Sequence, residues 1–454
     1  MSLEAFTRHA VVPRTREAVR YLAIPAPVVS PESFLAAELP TSGERTFWDA
    51  RSHAIPDAWA FAGVGVAARI EVDGPNRFED VRAKLESVSF EPVRGSTSHA
   101  PTPRWLGGFS FSEQHHATIS APTPWSSFHD ATFLLPRFAY AVSREEAYLL
   151  VVLDPREHAQ DALARASRLT ENLRARPPAT FPRRARIAQR DSVGAWSNLV
   201  SKALKRIELG EADKIVLARR LELLLGAELN LSDALAELGS KEPSSIRFAL
   251  ALNETTSFFG ATPEILVRRR GSRVETEALA GSFPRNGNDS DERARLLASE
   301  KDAREHAFVV EGIARELAPF TSRLEHQPRG VRTLSAVHHL ATPISAELRT
   351  QAHVLELVRA LHPTPAVAGA PKRVAQSWIV ENEPEPRGYY AAPFGWIGPH
   401  GDGAFAVAIR SALVRGNQAW VHGGAGLVRG STASAELAET DAKMRTLLSL
   451  LGVP

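Results

Sequence analysis

Residues 257–281 read SFFGATPEILVRRRGSRVETEALAG. Two strand-length stretches, SFFGATPEILVRRR and RVETEALAG, flank a turn at Gly271 and Ser272, so the chain doubles back and its arms lie as antiparallel neighbours. The same pattern extends outward. KIVLARRLEL (214–223) and SIRFALAL (245–252) precede the hairpin, and PFGWIG (393–398), GAFAVAIRSALV (403–414) and QAWVHGGAGLV (418–428) follow it. Each is an apolar or alternating run of strand length. Helical spacing interrupts them in four places. Trp196, Leu199, Val200, Ala203, Leu204 and Ile207 recur on one helical face between a cap at Asp191 and Ser192 and a stop at Gly210. Further helical patterns run from Arg293 to about Leu317 and from Val354 to Leu361, and a last helix starts at Ala433.

The first 175 residues form another sheet-rich region, with WAFAGVGVAARIEV, RWLGGFSF, ATFLLPRFAYAV and EAYLLVVL as its strands. Between the regions, RARPPATFPRRAR (174–186) mixes proline with clustered arginine, the composition of an exposed connection. The resulting division is 1–175, a connection at 176–190, and 191–454.

With 454 residues, 44% of them hydrophobic and 23% charged, the chain has ample material for a large core. A net charge of +2 and scattered arginines argue against a nucleic-acid partner. The absence of cysteine excludes disulfides, thiolate metal sites and cysteine nucleophiles, so any metal must be held by oxygen or imidazole. The opening MSLEAFTRHAVVPRTREAV lacks a signal-peptide core, and no apolar run reaches membrane-spanning length, which predicts a cytoplasmic protein.

Several charged residues stand out of place. Glu436, Glu439 and Lys443 share one face of the last helix, and Asp302 and Glu305 share a face of an earlier one. Each pair alone reads first as a solvated helix surface. Four carboxylates converging on one point would instead need a hard cation such as Mg²⁺ between them. Lys214 opens an apolar strand, where burial would favour its neutral form and make it a base, or where its tip reaches water. Glu264 follows a proline in a strand pattern and is either a general acid raised by burial or an exposed turn carboxylate. Arg410 interrupts AFAVAI and calls for a carboxylate partner, either a ligand or an internal acid. GGAGLV (423–428) lacks the spacing of a nucleotide loop and, like LAGS and VAGAP, suits close approach of a small ligand to main chain, or a plain turn. His338 and His339 lack zinc-protease spacing and read as core or hydrogen-bonding residues.

KIVLAR, GATPEIL, EALAGS, SEKDAREH, HHLATP, LHPTPAVAG, GWIG, AIRSALV, GGAGLV and ETDAK occur in that order from about Ser192 to the C-terminus. Together they resemble the chorismate-utilising enzymes. The resemblance implies one large α/β domain of the α+β type, built of mostly antiparallel sheets with helices outside. It implies a general base at Lys214 and a general acid at Glu264. Glu305 and Glu439 would bind Mg²⁺ directly, with Asp302 and Glu436 behind them. Arg410 and Lys443 would hold substrate carboxylates, helped by main chain at Gly281, Ala425 and Gly426, while Ser282, His339, Thr342 and Ala366 line the pocket.

Within the family, Ala280 stands where aminodeoxychorismate synthases often carry a lysine, and Ala366 in HPTPA stands where ammonia-using members and many salicylate synthases tend to have threonine. Both resemble the isochorismate-forming members, which act on chorismate without an amidotransferase subunit. The alternatives are salicylate formation, which adds loss of pyruvate, anthranilate or aminodeoxychorismate synthesis, and a non-catalytic chorismate-binding protein. RWLGGFSF and YYAAPFGW resemble the menaquinone-pathway type, with a siderophore role as the other choice. The sequence sets no oligomeric state.

Overall fold

The hairpin expected at Gly271 forms: strands Ile265–Arg270 and Arg273–Pro284 pair antiparallel, and Gly271 takes the left-handed conformation the turn requires (φ +59°). The computed structural model describes residues 18–36, 43–112, 123–175, 184–190, 192–335 and 337–453. Within them, strand pairing is antiparallel except where Ala18–Pro25 runs parallel to Ser89–Pro92. All strands belong to one hydrogen-bonded sheet system.

The early and late strands join directly. Arg45–Asp49 pairs with Ile246–Ala251, and Trp105–Phe109 pairs with Pro393–Ile397. Residues 176–183, in the proline- and arginine-rich connection, lie outside the described residues, as does Asp191. Residues 185–190 form a strand against Lys214–Leu225.

Strands such as Ala131–Val142 are buried along almost their whole length because the sheet carries a core on each face. Successive residues alternate between the two: Trp48 and Phe61 enter one cluster, Phe47, Ala60 and Ala62 the other. Helices cover the sheet. The helix Glu300–Leu317 packs on Arg273–Pro284, and the helix Ala433–Leu451 packs on Gln418–Leu427. The expected helix from Arg293 to Leu317 is two, Asp289–Ala298 and Glu300–Leu317. Ser299 divides them, since its side chain accepts from the Asp302 amide and restarts the helix in a new direction. No helix among the described residues is long and apolar enough to cross a membrane.

Candidate active site

Lys214, Glu264, Glu305, Glu439, Lys443 and Arg410 line one cleft. Each residue arrives on a different element, and strand periodicity brings the first: Lys214, Val216 and Ala218 point to one face of Lys214–Leu225. The neighbouring strand Gln418–Leu427 places Gly426 opposite Val216. A Cβ at Gly426 would stand 2.8 Å from Lys214 Cε, so the glycine makes room for the lysine. Lys214 is 2% exposed, and its Nζ donates to Glu305 Oε1 at 2.8 Å. It is therefore not isolated among apolar groups, as its sequence neighbours suggested, but ion-paired across the cleft to a helix.

Glu264 sits in the two-residue break between strands Thr256–Thr262 and Ile265–Arg270. Pro263 has no amide to give the ladder, and the Glu264 amide turns to Thr262 Oγ1 at 3.2 Å. Burial pushes its carboxyl up to about 7 against the lowering pull of Lys214 and Lys443. Thr364 Oγ1 lies 3.5 Å from Glu264 Oε1. Of the two readings of Glu264, exposure is excluded.

Arg410 adopts φ +52° between strands Gly403–Val407 and Ser411–Arg415, which turns it out of the ladder and into the cleft. Among the described residues no carboxylate lies within ion-pairing distance of its guanidinium, so the internal salt bridge is absent and an anionic ligand is the remaining partner. Lys443 donates to Gly424 O at 2.9 Å and pairs with Glu439 at 2.5 Å.

The two helices converge. Burial raises the Glu305 carboxyl, but Lys214 outweighs it and holds the group below its usual range; Lys443 does the same for Glu439. Glu436, one turn before Glu439, is buried, and burial raises its carboxyl further than Ser431 lowers it. Its Oε2 has no partner among the described residues. Glu305 and Glu439 line the cleft and Glu436 does not, but its orphaned oxygen lies one helical turn from Glu439, and carboxylate oxygens of this kind suit a hard divalent cation. Asp302 does not line the cleft. It hydrogen-bonds the Ser299 hydroxyl at the helix start and lies beside Gly281, whose Cβ would stand 3.1 Å from its own.

Gly281 takes φ +77° at a bulge where the strand Arg273–Pro284 slips its register against Val337–Leu348. The bulge places Ser282 opposite His339, whose Nδ1 lies 2.9 Å from Ser282 Oγ. Burial, with Arg410 and Lys443 nearby, lowers His339 to about 3, so the ring is neutral. Ser282, His339, Ala366 and Gly426 line the cleft. Thr342 and Ala425 do not. The Thr342 hydroxyl lies 2.8 Å from His306 Nε2, and Ala425 points to the other face of its strand. VAGAP is neither a free turn nor a bare ligand cradle: Gly369–Ala370 pairs with Ile215 and Lys214 and fixes the start of the Lys214 strand.

Tyr390, Arg387 and His422 also line the cleft, and sequence reading passed over them. Arg387 is bound to Glu383, Val216 O and Val367 O, and Tyr390 stacks on His422 with ring centroids 4.9 Å apart. Nothing in their local sequence separates them from core residues. Elsewhere, Asp289, Glu292 and His338 cluster, with Arg285 holding Asp289 and Thr333 facing His338, as a hydrogen-bonded fastening between helix and strand.

Residues 7–452 match the family of chorismate binding enzymes. The chain is 35% identical over 414 residues to the salicylate biosynthesis isochorismate synthase of Pseudomonas aeruginosa, covering 87% of this chain and 83% of the relative. It is 31% identical to isochorismate synthase MenF of Bacillus subtilis, covering 90% and 88%. The solved structure of MenF, the menaquinone-specific isochorismate synthase from Escherichia coli, superposes with a TM-score of 0.78 at 25% identity, covering 99% of this chain and 97% of that one. A match that spans nearly the whole sequence, with relatives above 30% identity along most of it, establishes that this chain belongs to the chorismate binding enzymes.

Proposed function

We propose that this protein is an isochorismate synthase, an isomerase that moves a hydroxyl group around the ring of chorismate. The carrying observation is the placing of Lys214 and Glu264 in one cleft beside Arg410, whose guanidinium has no carboxylate partner among the described residues. Lys214 is the base: it takes a proton from water as the water oxygen bonds the ring carbon C2, next to the carbon bearing the carboxylate. Glu264 is the acid: with its carboxyl near 7 it keeps a proton to give the C4 hydroxyl as that group leaves as water. Arg410 and Lys443 hold the substrate's carboxylates, and Ser282, His339 and Ala366 shape the pocket around the ring. Because one water enters and another leaves, the reaction is reversible.

Mg²⁺ fits the Glu305 and Glu439 carboxylates, with Glu436 and Asp302 behind them, and when bound would orient a substrate carboxylate and neutralise its charge. Glu305 is shared: the carboxylate that accepts from Lys214 Nζ is also one that would hold the cation, so the two compete for it. Ala280 lines the cleft with a methyl group and offers no amine for a covalent adduct, which favours water over amination and requires no amidotransferase.

Incubation of the purified protein with chorismate and Mg²⁺, followed by chromatographic separation, tests the reading. Isochorismate is the expected product, lost on chelation and restored by Mg²⁺. Salicylate with an equal amount of pyruvate would replace this reading with salicylate synthesis, and turnover only with ammonia would replace it with amination.

A further inference from the structure

Every described residue that lines the cleft lies at Lys214 or later in the chain. The earlier residues reach the chemistry from behind, through the peptide that joins Pro263 to Glu264. That peptide sits in the break between strands Thr256–Thr262 and Ile265–Arg270, where its N–H and C=O have no place in a ladder and must find other partners. Side chains supply them. The amide turns to Thr262 Oγ1 at 3.2 Å, and the Thr262 hydroxyl in turn donates to Val407 O at 2.7 Å. The Pro263 carbonyl accepts from two donors, His53 Nε2 at 2.9 Å and Arg332 Nη1 at 3.2 Å, one for each of its lone pairs.

The proton on His53 is placed by its neighbours. The Ile55 amide donates to Nδ1 at 3.1 Å, which leaves the ring proton on Nε2, facing Pro263 O. Burial, with Arg332 alongside, lowers the ring to about 4, so it stays neutral and keeps that tautomer. Arg332 is set by Glu277: its Nη2 donates to Glu277 Oε1 at 2.6 Å, and Glu277 is buried on the strand Arg273–Pro284. His53 lies 210 residues before Pro263, between strands Arg45–Asp49 and Ala60–Val72, and Arg332 lies on the short strand Gly330–Thr333. The carboxyl of Glu264 is held more loosely, since among the described residues only Thr364 Oγ1, at 3.5 Å, comes within hydrogen-bonding reach. A side chain fixed at its root and nearly free at its tip takes its position from the root.

From these contacts we infer that His53 and Arg332 are positioning residues for Glu264, clamping the Pro263 carbonyl from outside the cleft so that the acid meets the leaving hydroxyl at a set height. The inference rests on the isochorismate synthase reading, in which Glu264 gives its proton to the C4 hydroxyl as the bond from C4 to that oxygen breaks. Neither residue lines the cleft. Their effect therefore falls on proton transfer rather than on binding, and it travels only through Glu264.

Two substitutions separate the two hydrogen bonds of the His53 ring. His53→Gln places an amide N–H where Nε2 stands and keeps the bond to Pro263, whereas His53→Asn keeps an acceptor for the Ile55 amide and falls a bond short of Pro263. The test is steady-state kinetics of isochorismate formation beside melting curves. His53→Asn is expected to lose about tenfold to a hundredfold in kcat with KM for chorismate unchanged, and His53→Gln to keep most of the wild-type kcat. In a Glu264→Gln background, His53→Asn should cost nothing further, because the group it positions is gone. Should His53→Asn fail to fold, Arg332→Met combined with Glu277→Gln removes the other donor without stranding a buried charge, and the same loss of kcat at constant KM is expected. Equal kcat in His53→Gln and His53→Asn, the reverse ranking, a loss confined to KM, or a full further loss in the Glu264→Gln background overturns the clamp. Failure of the wild-type enzyme to form isochorismate, or wild-type activity in Glu264→Gln, overturns the functional reading instead.

Discussion

Glu264 ties stability and activity together in opposite directions. Its carboxyl is raised from 4.5 to about 7 by burial, so the folded state favours the protonated form. The stability this contributes is fully present below the unfolded value and is lost as pH rises through about 7. Glu264→Gln removes the penalty of a buried anion, up to about 3 kcal/mol from the size of the shift. Thermal unfolding at about pH 8 should therefore improve relative to wild type, and at about pH 5 hardly change, while isochorismate formation drops about a hundredfold to ten-thousandfold. Melting curves at both values with parallel kinetics check it; retained activity would remove Glu264 as the acid. Arg410 gives a different signature. With no carboxylate partner for its guanidinium among the described residues, Arg410→Met is a binding variant, with KM for chorismate up about tenfold to a hundredfold and partial recovery in Arg410→Lys. Steady-state kinetics with an unchanged KM would place the substrate carboxylate elsewhere.

Elements act here by fixing where a side chain starts. The strand Lys214–Leu225 is bound at its beginning by Gly369–Ala370 and flanked by Gln418–Leu427, so Lys214 leaves the sheet at a set height beneath Gly426. Gly426→Ala places a methyl 2.8 Å from Lys214 Cε and 3.6 Å from Glu305 Oε1, and the lysine tip has to move. Turnover should fall up to about a hundredfold with thermal stability nearly unchanged, since misplacement by an ångström is costly in a catalytic pair. A wild-type rate in that variant, read beside its melting temperature, would mean that Lys214 acts from another position. The two helices contribute their acids in the same manner: Ser299 restarts the helix that carries Glu305, and Thr432 caps the one that carries Glu439.

At the scale of the whole molecule, the sheet is continuous from the first described strand to the last, and the cleft lies among elements drawn from the later part of the chain. Those elements depend on the earlier strands. Ile246–Ala251 is covered at one edge by Arg45–Asp49, and Pro393–Ile397 by Trp105–Phe109. A fragment of residues 191–454 would expose both edges and the apolar faces behind them, and should aggregate when expressed alone. Size-exclusion chromatography checks this, and a monodisperse fragment that binds chorismate would make the later residues an independent unit.

What the sequence determined by itself was local and periodic. The hairpin at Gly271, the helix stop at Gly210 and the closing helix from Ala433 follow from turn chemistry and side-chain spacing, which neighbouring residues set. The family was legible because its motifs are contiguous, and several residues they named line one cleft. The tertiary structure decided what spacing leaves open. Burial of Glu264, the pairing of Lys214 with Glu305, and the turning of Thr342 to His306 all depend on contacts across dozens to hundreds of residues. Charge in a folded protein is governed by what surrounds it in space, and sequence fixes only what surrounds it along the chain.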